Sequence, residues 1–275
     1  MGNKMCVNIC VLGSSSSGNC TALWSQKLGI LIDCGGSIKR WEGHLKSIEL
    51  NYGKIRGILI THGHCDHINE NTINFAQKNS IPIYIHEHTY NTIKNRYNLK
   101  DNLIRDGLIK IHTNREFRID YLKITPFKIY HDDIGHEDYV GSPCGFSVYF
   151  ENKKISYITD TKEITYDMIQ EVLDSDAIVL ETNHDLEIIE RNPPNHFGWC
   201  EHLSNQKAGT ALVEMIIRST KSNSFKYVFL AHVSDDNNTP ERPKIVVEKI
   251  LHKNGINHVI LIETYKCNRT SIYTI

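Results

Sequence analysis

No apolar run in the 275-residue sequence is long enough to span a membrane, and the first residues carry one lysine with no apolar stretch of secretory length behind it. Gly2 is followed by Cys6 where a myristoylation signal has Ser or Thr. These absences lead us to expect a cytoplasmic protein with no membrane partner. An excess of charge is also missing: the formal net charge is −1. A whole-molecule electrostatic grip on nucleic acid is thereby excluded, and any such grip has to come from a local patch. The eight cysteines form no CxxC pair and no regular spacing, which argues for reduced, mostly buried thiols and against a disulfide framework. There is no internal repeat, no composition break and no low-complexity linker longer than GSSSSG at residues 13–18. One domain covering residues 1–275 is expected.

A hydrophobic content of 40% is enough for a sizeable core. Short β-rich runs occur at residues 5–12, 21–24, 29–32, 55–61, 81–85, 121–130, 144–150, 154–158, 177–181, 227–231 and 258–263. Helix-like stretches alternate with them at 38–50, 71–78, 165–173, 204–218 and 239–251. The last opens on Thr239-Pro240-Glu241, a cap residue, a first-turn proline and an early acid. Hairpin-like pairs mixed with strand–helix alternation predict two sheets covered by helices, an α/β or α+β sandwich.

One segment carries most of the chemistry. After the apolar strand Gly-Ile-Leu-Ile of residues 57–60, the chain reads Thr-His-Gly-His-Cys-Asp-His through His67. In extended backbone, His62 and His64 point the same way. Once the chain turns, Asp66 and His67 can face a neighbouring point. Two nitrogens then serve one cation, and an oxygen with a nitrogen serves a second; two such cations ~3.5–4 Å apart can clamp a phosphoryl group. A chance HxHxDH arises in roughly one chain in 400 of this composition, so a histidine-rich surface loop is the weaker explanation. Cys65 occupies a variable slot and is expected to be a buried spectator.

The segment THGHCDH after ILI resembles the signature of the metallo-β-lactamase superfamily, and the other elements of that pattern follow in order. LIDCGG supplies Asp33 and Gly35, ITPFKIYHDD supplies His131, ISYITDT supplies Asp160, and VFLAHVS supplies His232. The resemblance implies an αββα sandwich of two mixed sheets flanked by helices. It implies a first metal on His62, His64 and His131, a second on Asp66, His67 and His232, and Asp160 bridging the two. Two divalent ions, Zn²⁺ or Mn²⁺, suit a donor set of imidazoles and carboxylates. Asp33 is expected either to orient a metal-binding imidazole or to serve only as a turn residue. A ten-residue insert separates His131-Asp132 from Pro143, so His136 inside it competes with His131 as the ligand.

Within the superfamily, LGSSSSGNC, LETNHD, HLSN and LAHVSDDNNTPE resemble the YycJ/WalJ-type branch, which is associated with 5′-to-3′ exonuclease activity on DNA. The phosphodiester-cleaving branches place a histidine near the scissile phosphate, between the bridging aspartate and the last ligand. His202 matches it, ahead of a helix start suited to an anion, with His184 and His196 as rivals. Asp66 and His202 are therefore the catalytic candidates. The expected partner is nucleic acid, DNA over RNA, or a small phosphodiester; a cyclic-nucleotide phosphodiesterase and a non-catalytic metal-binding regulator are the alternatives. From its length of 275 residues, the chain is expected to lack the extra domain of the large RNA-processing relatives. Lys39, Arg40, Lys46, Lys94, Arg96 and Lys100, interleaved with Tyr90 and Tyr97, form a candidate phosphate- and base-binding patch or a solvated helix face. Residues 13–19 could form a backbone-amide nest for an anion or a plain surface turn.

Overall fold

Which face of each strand is buried follows from simple alternation. In β1 (Asn8–Gly13), Ile9 and Val11 enter one apolar cluster while Cys10 and Leu12 enter another. The structure, a computed structural model, describes residues 6–100, 102–131, 140–194 and 198–275. Its first sheet continues with β2 (Cys20–Trp24), β3 (Gly29–Ile32), β4 (Ile55–Leu59), β5 (Ile83–His86) and β6 (Ile109–His112). The second sheet takes β7 (Phe117–Ile119), β8 (Leu122–Lys128), β9 (Cys144–Phe150), β10 (Lys153–Ile158), β11 (Ala177–Glu181), β12 (Tyr227–Ala231) and β13 (Ile260–Glu263). A final short strand, β14 (Tyr273–Thr274), returns to pair with β1. Each sheet has seven strands and is mixed: β3 to β6 run parallel in the first, β10 to β13 in the second, and the remaining pairs are antiparallel.

Between the sheets lie Val11, Ile30, Leu59, Phe146, Val148, Tyr157 and Phe229. On the outer face of the first sheet pack α1 (Ile38–Ser47), α2 (Glu70–Lys78) and α3 (Glu87–Arg96), followed in sequence by the short α4 (Asn102–Arg105). The outer face of the second receives α5 (Tyr166–Val172), α7 (Asn205–Arg218) and α8 (Arg242–Lys253), with the six-residue α6 (Leu186–Arg191) between α5 and α7 in sequence. The result is the expected αββα sandwich. Among the described residues, no helix is long and apolar enough to cross a membrane.

Several details differ from the sequence reading. Helix α8 starts at Arg242, with Pro243 and not Pro240 in its first turn. The Asn238 side chain accepts the N–H of Thr239 and donates to the carbonyls of Thr182 and Asn183, which keeps residues 238–241 out of the helix. Helix α3 was not anticipated, because EHTYNTIKNR is rich in weak helix formers. Of the cysteines, Cys10, Cys20, Cys34 and Cys144 are buried, while Cys6, Cys65, Cys200 and Cys267 are exposed. Half are buried where most were expected, and Cys65 is exposed in a loop whose His62, Gly63, His67 and Ile68 are buried.

Phe146 is fully buried between the sheets. Replacing it with alanine should lower unfolding free energy in urea by about 3–5 kcal/mol, since a large ring leaves a cavity that the two flanking sheets cannot close. A loss below about 1 kcal/mol would mean that the intersheet layer is not the core that holds the sheets together.

Candidate metal centre

The parallel strands of both sheets release their carboxyl ends at one place. Asp33 follows β3, His62 follows β4, Asp160 follows β10, Glu181 ends β11, and His232 follows β12. Asp33, Asp160 and His232 have φ of 55°, 57° and 55°, a left-handed conformation that aspartate adopts more readily than most residues. Each turns the chain sharply off its strand as it delivers its side chain.

All seven predicted metal-type residues meet there. His62 Nε2 lies 3.0 Å from His64 Nδ1, which is 3.2 Å from His131 Nε2. A second group holds Asp66, His67 and His232: Asp66 Oδ2 is 3.2 Å from His67 Nε2 and 3.8 Å from His232 Nε2. Asp160 spans the two, with Oδ2 3.3 Å from His67 Nε2, and Oδ1 3.3 Å from His232 Nε2 and 4.0 Å from His131 Nε2. His202 stands beside them, its ring 5.2 Å from that of His131 and 5.0 Å from that of His232. Of its rivals, His184 packs its ring against Trp199 at 5.2 Å. His196, and likewise His136, lie outside the described residues.

Two buried carboxylates hold the imidazoles from behind. Asp33, fully buried, accepts from His67 Nδ1 at 2.8 Å and from the Thr61 amide and hydroxyl. Glu181 was missed by the sequence reading. Its Oε1 lies 2.7 Å from His202 Nδ1 and 3.0 Å from His232 Nδ1, and its Oε2 accepts the amides of Thr161 and Leu203. A signal was present: in AIVLE a lone acid ends an otherwise apolar buried strand, and a fully buried carboxylate needs partners.

The loop from His62 to Ile68 is clamped on several sides. Arg96 Nη1 donates to Gly63 O at 2.7 Å, and Tyr97 Oη donates to Ile68 O at 2.9 Å. Tyr90 is buried. Arg96 and Tyr97 therefore support the loop, and Tyr90 has no free face for stacking a base. Gly35 fits because a Cβ there would lie 2.1 Å from the Asp66 carbonyl carbon. The amides of Ser14, Ser15, Ser17, Gly18 and Asn19 all donate within the protein, so residues 13–19 are not an open nest for an anion.

The charges are strongly coupled. Burial opposes the charged form of His67, yet Asp66, Asp160 and Asp33 outweigh it and raise its pKa well above the usual range. In the same way burial is outweighed at His232 by Asp160, Asp66 and Glu181, which raise it to about 10. His62 goes the other way: burial, together with His67, lowers it well below the ordinary histidine value. Asp160 stays ionised despite its burial because His232 and His67 face it, and Glu181 is drawn down to about 2, chiefly by His202, against its own desolvation. Even so, His232 Nε2 and Asp160 Oδ2 are buried and make no hydrogen bond. Polar atoms converging without bonding partners, on imidazole and carboxylate side chains, fit a divalent cation.

Residues 29–220 match the family described as Beta-lactamase superfamily domain. Over 260 residues, 91% of both chains, the sequence is 28% identical to exodeoxyribonuclease YycJ of Bacillus anthracis. It is 27% identical over 241 residues, 84% of this chain and 83% of the relative, to exodeoxyribonuclease WalJ of Streptococcus pneumoniae serotype 2 strain D39. Among solved structures, the metallo-β-lactamase fold protein YhfI from Bacillus subtilis superposes with a TM-score of 0.70 at 13% identity, covering 99% of this chain and 100% of that one.

The raised values of His67 and His232 have a measurable consequence. Without metal, a pKa of about 10 keeps the His232 imidazole protonated at pH 7.5, and the carboxylates around His67 shift it in the same direction. Their Nδ1 hydrogens stay with Asp33 and Glu181, so cation uptake has to displace the Nε2 protons. Calorimetry in two buffers of different ionisation enthalpy should report net proton release on metal uptake, and metal affinity should rise with pH up to about 10, the value of His232. Proton-neutral, pH-independent uptake would contradict this electrostatic description.

Proposed function

The chain belongs to the beta-lactamase superfamily, and from that membership we propose that it is a dinuclear-metal hydrolase of phosphodiester bonds, acting in the cytoplasm on DNA as a 5′-to-3′ exonuclease. The observation that carries this reading is the meeting of His62, His64 and His131 with Asp66, His67 and His232 across Asp160, with His202 alongside. In this reading the first three residues would hold one ion and the next three a second, with Asp160 available to both. The chemistry that two ions, Zn²⁺ or Mn²⁺, supply when bound is acidification of a water toward neutral pH and stabilisation of charge on phosphoryl oxygens.

The protein's own groups do the rest. Asp33 accepts from Nδ1 of His67 and so fixes the tautomer whose Nε2 lone pair faces the site. Glu181 does the same for His232, and it holds His202 by Nδ1 so that Nε2 can serve the substrate. From there His202 either donates a proton to the leaving alkoxide or hydrogen-bonds a phosphoryl oxygen. In this reading Asp66, partly exposed at the rim, would orient the attacking water. The two exodeoxyribonuclease relatives favour DNA over RNA. A small phosphodiester remains the second reading, favoured by the net charge of −1.

Metal analysis joined to a substrate panel tests this: linear DNA with and without a 5′ phosphate, RNA, cyclic dinucleotides and bis-p-nitrophenyl phosphate. Release of nucleotides from DNA 5′ ends is expected. Turnover of cyclic dinucleotides alone selects the second reading, and a metal-loaded chain inert on the whole panel supports a regulator and sinks the enzyme. His202→Ala should keep its metal yet lose about 10²–10⁴ in rate on DNA. An activated nitrophenyl diester, whose leaving group needs no proton, should suffer much less. Equal losses would assign His202 to phosphoryl-oxygen binding, and no loss on either substrate would remove it from the mechanism.

A further inference from the structure

We infer that Asn19 is a positioning residue for the second ligand group, its side-chain amide fixing the Asp66 carboxylate in the orientation that ion binding requires. The inference rests on Asp66 being an ion ligand, as proposed above. Asn19 is fully buried, in the turn between β1 and β2. Its Nδ2 lies 3.0 Å from Asp66 Oδ2, 3.0 Å from Ser15 O and 3.1 Å from His67 Nε2.

The orientation of the amide is fixed by its other end. Asn19 Oδ1 faces the Ser15 amide nitrogen at 3.1 Å, and a backbone N–H can only donate, so the atom opposite it must be the oxygen. The nitrogen therefore faces Asp66. It has two hydrogens, which Ser15 O and Asp66 Oδ2 take up, so Asn19 makes no claim on the His67 Nε2 lone pair that an ion would use once the proton there has left. The Asn19 backbone N–H also donates to Asp66 O at 2.8 Å, so one residue holds both the main chain and the side chain of Asp66.

The same path reaches a third member of the group. Ser14 Oγ donates to Asn19 Oδ1 at 3.1 Å and accepts the His232 N–H at 2.8 Å. Asp66, His67 and His232 are thus all within one or two hydrogen-bonded steps of Asn19. Gly18, with φ of 159°, and Gly36, whose Cβ would sit 2.5 Å from Ser17 O, allow the turn to approach this closely. The serine–glycine turn is in this way part of the metal centre's framework, and its effect should be asymmetric between the two ions.

Asn19→Leu keeps most of the volume and removes every side-chain hydrogen bond; Asn19→Ser keeps a hydroxyl near Ser15 but cannot reach Asp66. Both are titrated with Mn²⁺ and Zn²⁺ by calorimetry, alongside circular dichroism and thermal melts of the metal-free chains. Affinity for one of the two ions should fall about 10–100-fold, as for other groups that orient ligands, while the other ion binds as in the wild type. Two unchanged affinities would overturn the assignment. Equal loss of both would overturn it too, because a purely structural role weakens the centre as a whole. Should the leucine variant fail to fold, the serine variant decides by the same criteria. A wild-type chain that takes up fewer than two ions would instead defeat the dinuclear reading itself, an outcome distinct from a wild type with two ions and variants that match it.

Discussion

Imidazoles and carboxylates buried against one another cannot all be satisfied by hydrogen bonds, and the architecture around them serves to hold that arrangement in place. His67, with no exposed side-chain surface, is its hub: Asp33 binds one ring nitrogen, while Asp66 and Asp160 crowd the other. Ionised groups buried this deeply are costly unless paired. In the metal-free chain the pairing comes from His67 and His232, whose pKa values the carboxylates raise, facing Asp66 and Asp160, whose values the imidazoles lower. In the proposed reading, divalent cations would take over from those protons as the counter-charge to the carboxylates. That balance depends on positions fixed to a fraction of an ångström, which loops alone rarely provide.

The sandwich provides them. Five of the residues concerned sit at or just beyond the carboxyl ends of parallel strands, where the sheets' hydrogen bonds fix the backbone. Beneath the loops of the first sheet, Trp41 acts as a common support. Its Nε1 donates to Gly35 O at 2.6 Å, and its ring leaves so little room that a Cβ at Gly13 would lie 2.5 Å from it. Gly35 in turn lies against the Asp66 backbone, and Asn19 against its side chain. Apolar packing of α1 thus reaches the carboxylate through two contacts.

Much of this was legible in the sequence, for identifiable reasons. Strand-end ligands announce themselves because a dense polar cluster directly follows an apolar run, as in ILITHGHCDH, and because Asp33, His131, Asp160 and His232 each close a similar run. The strands of the core were visible through uninterrupted apolar stretches such as AIVLE and YVFLA. Contacts that depend on tertiary structure were not. Glu181 is separated from His202 by 21 residues and from His232 by 51, and nothing local marks it as the holder of both. Asn19 sits in a turn that reads as flexible, yet its partners lie 47 and 48 residues away. Arg96 and Tyr97 read either as part of a nucleic-acid patch or as a solvated helix face, because sequence shows their charge and aromaticity but not their hydrogen bonds to the loop of residues 62–68. The short β6 and β7, and the weakly helical α3, were lost for lack of periodicity.

The central claim is that two ions sit between the two groups of side chains and share Asp160. Anomalous diffraction from crystals of the wild-type chain grown with Mn²⁺ or Zn²⁺ addresses it directly. The account predicts two anomalous peaks, one bounded by His62, His64 and His131 and the other by Asp66, His67 and His232, with an Asp160 oxygen reaching both. A single peak, or peaks on the far side of the sheets from Asp160, would contradict it.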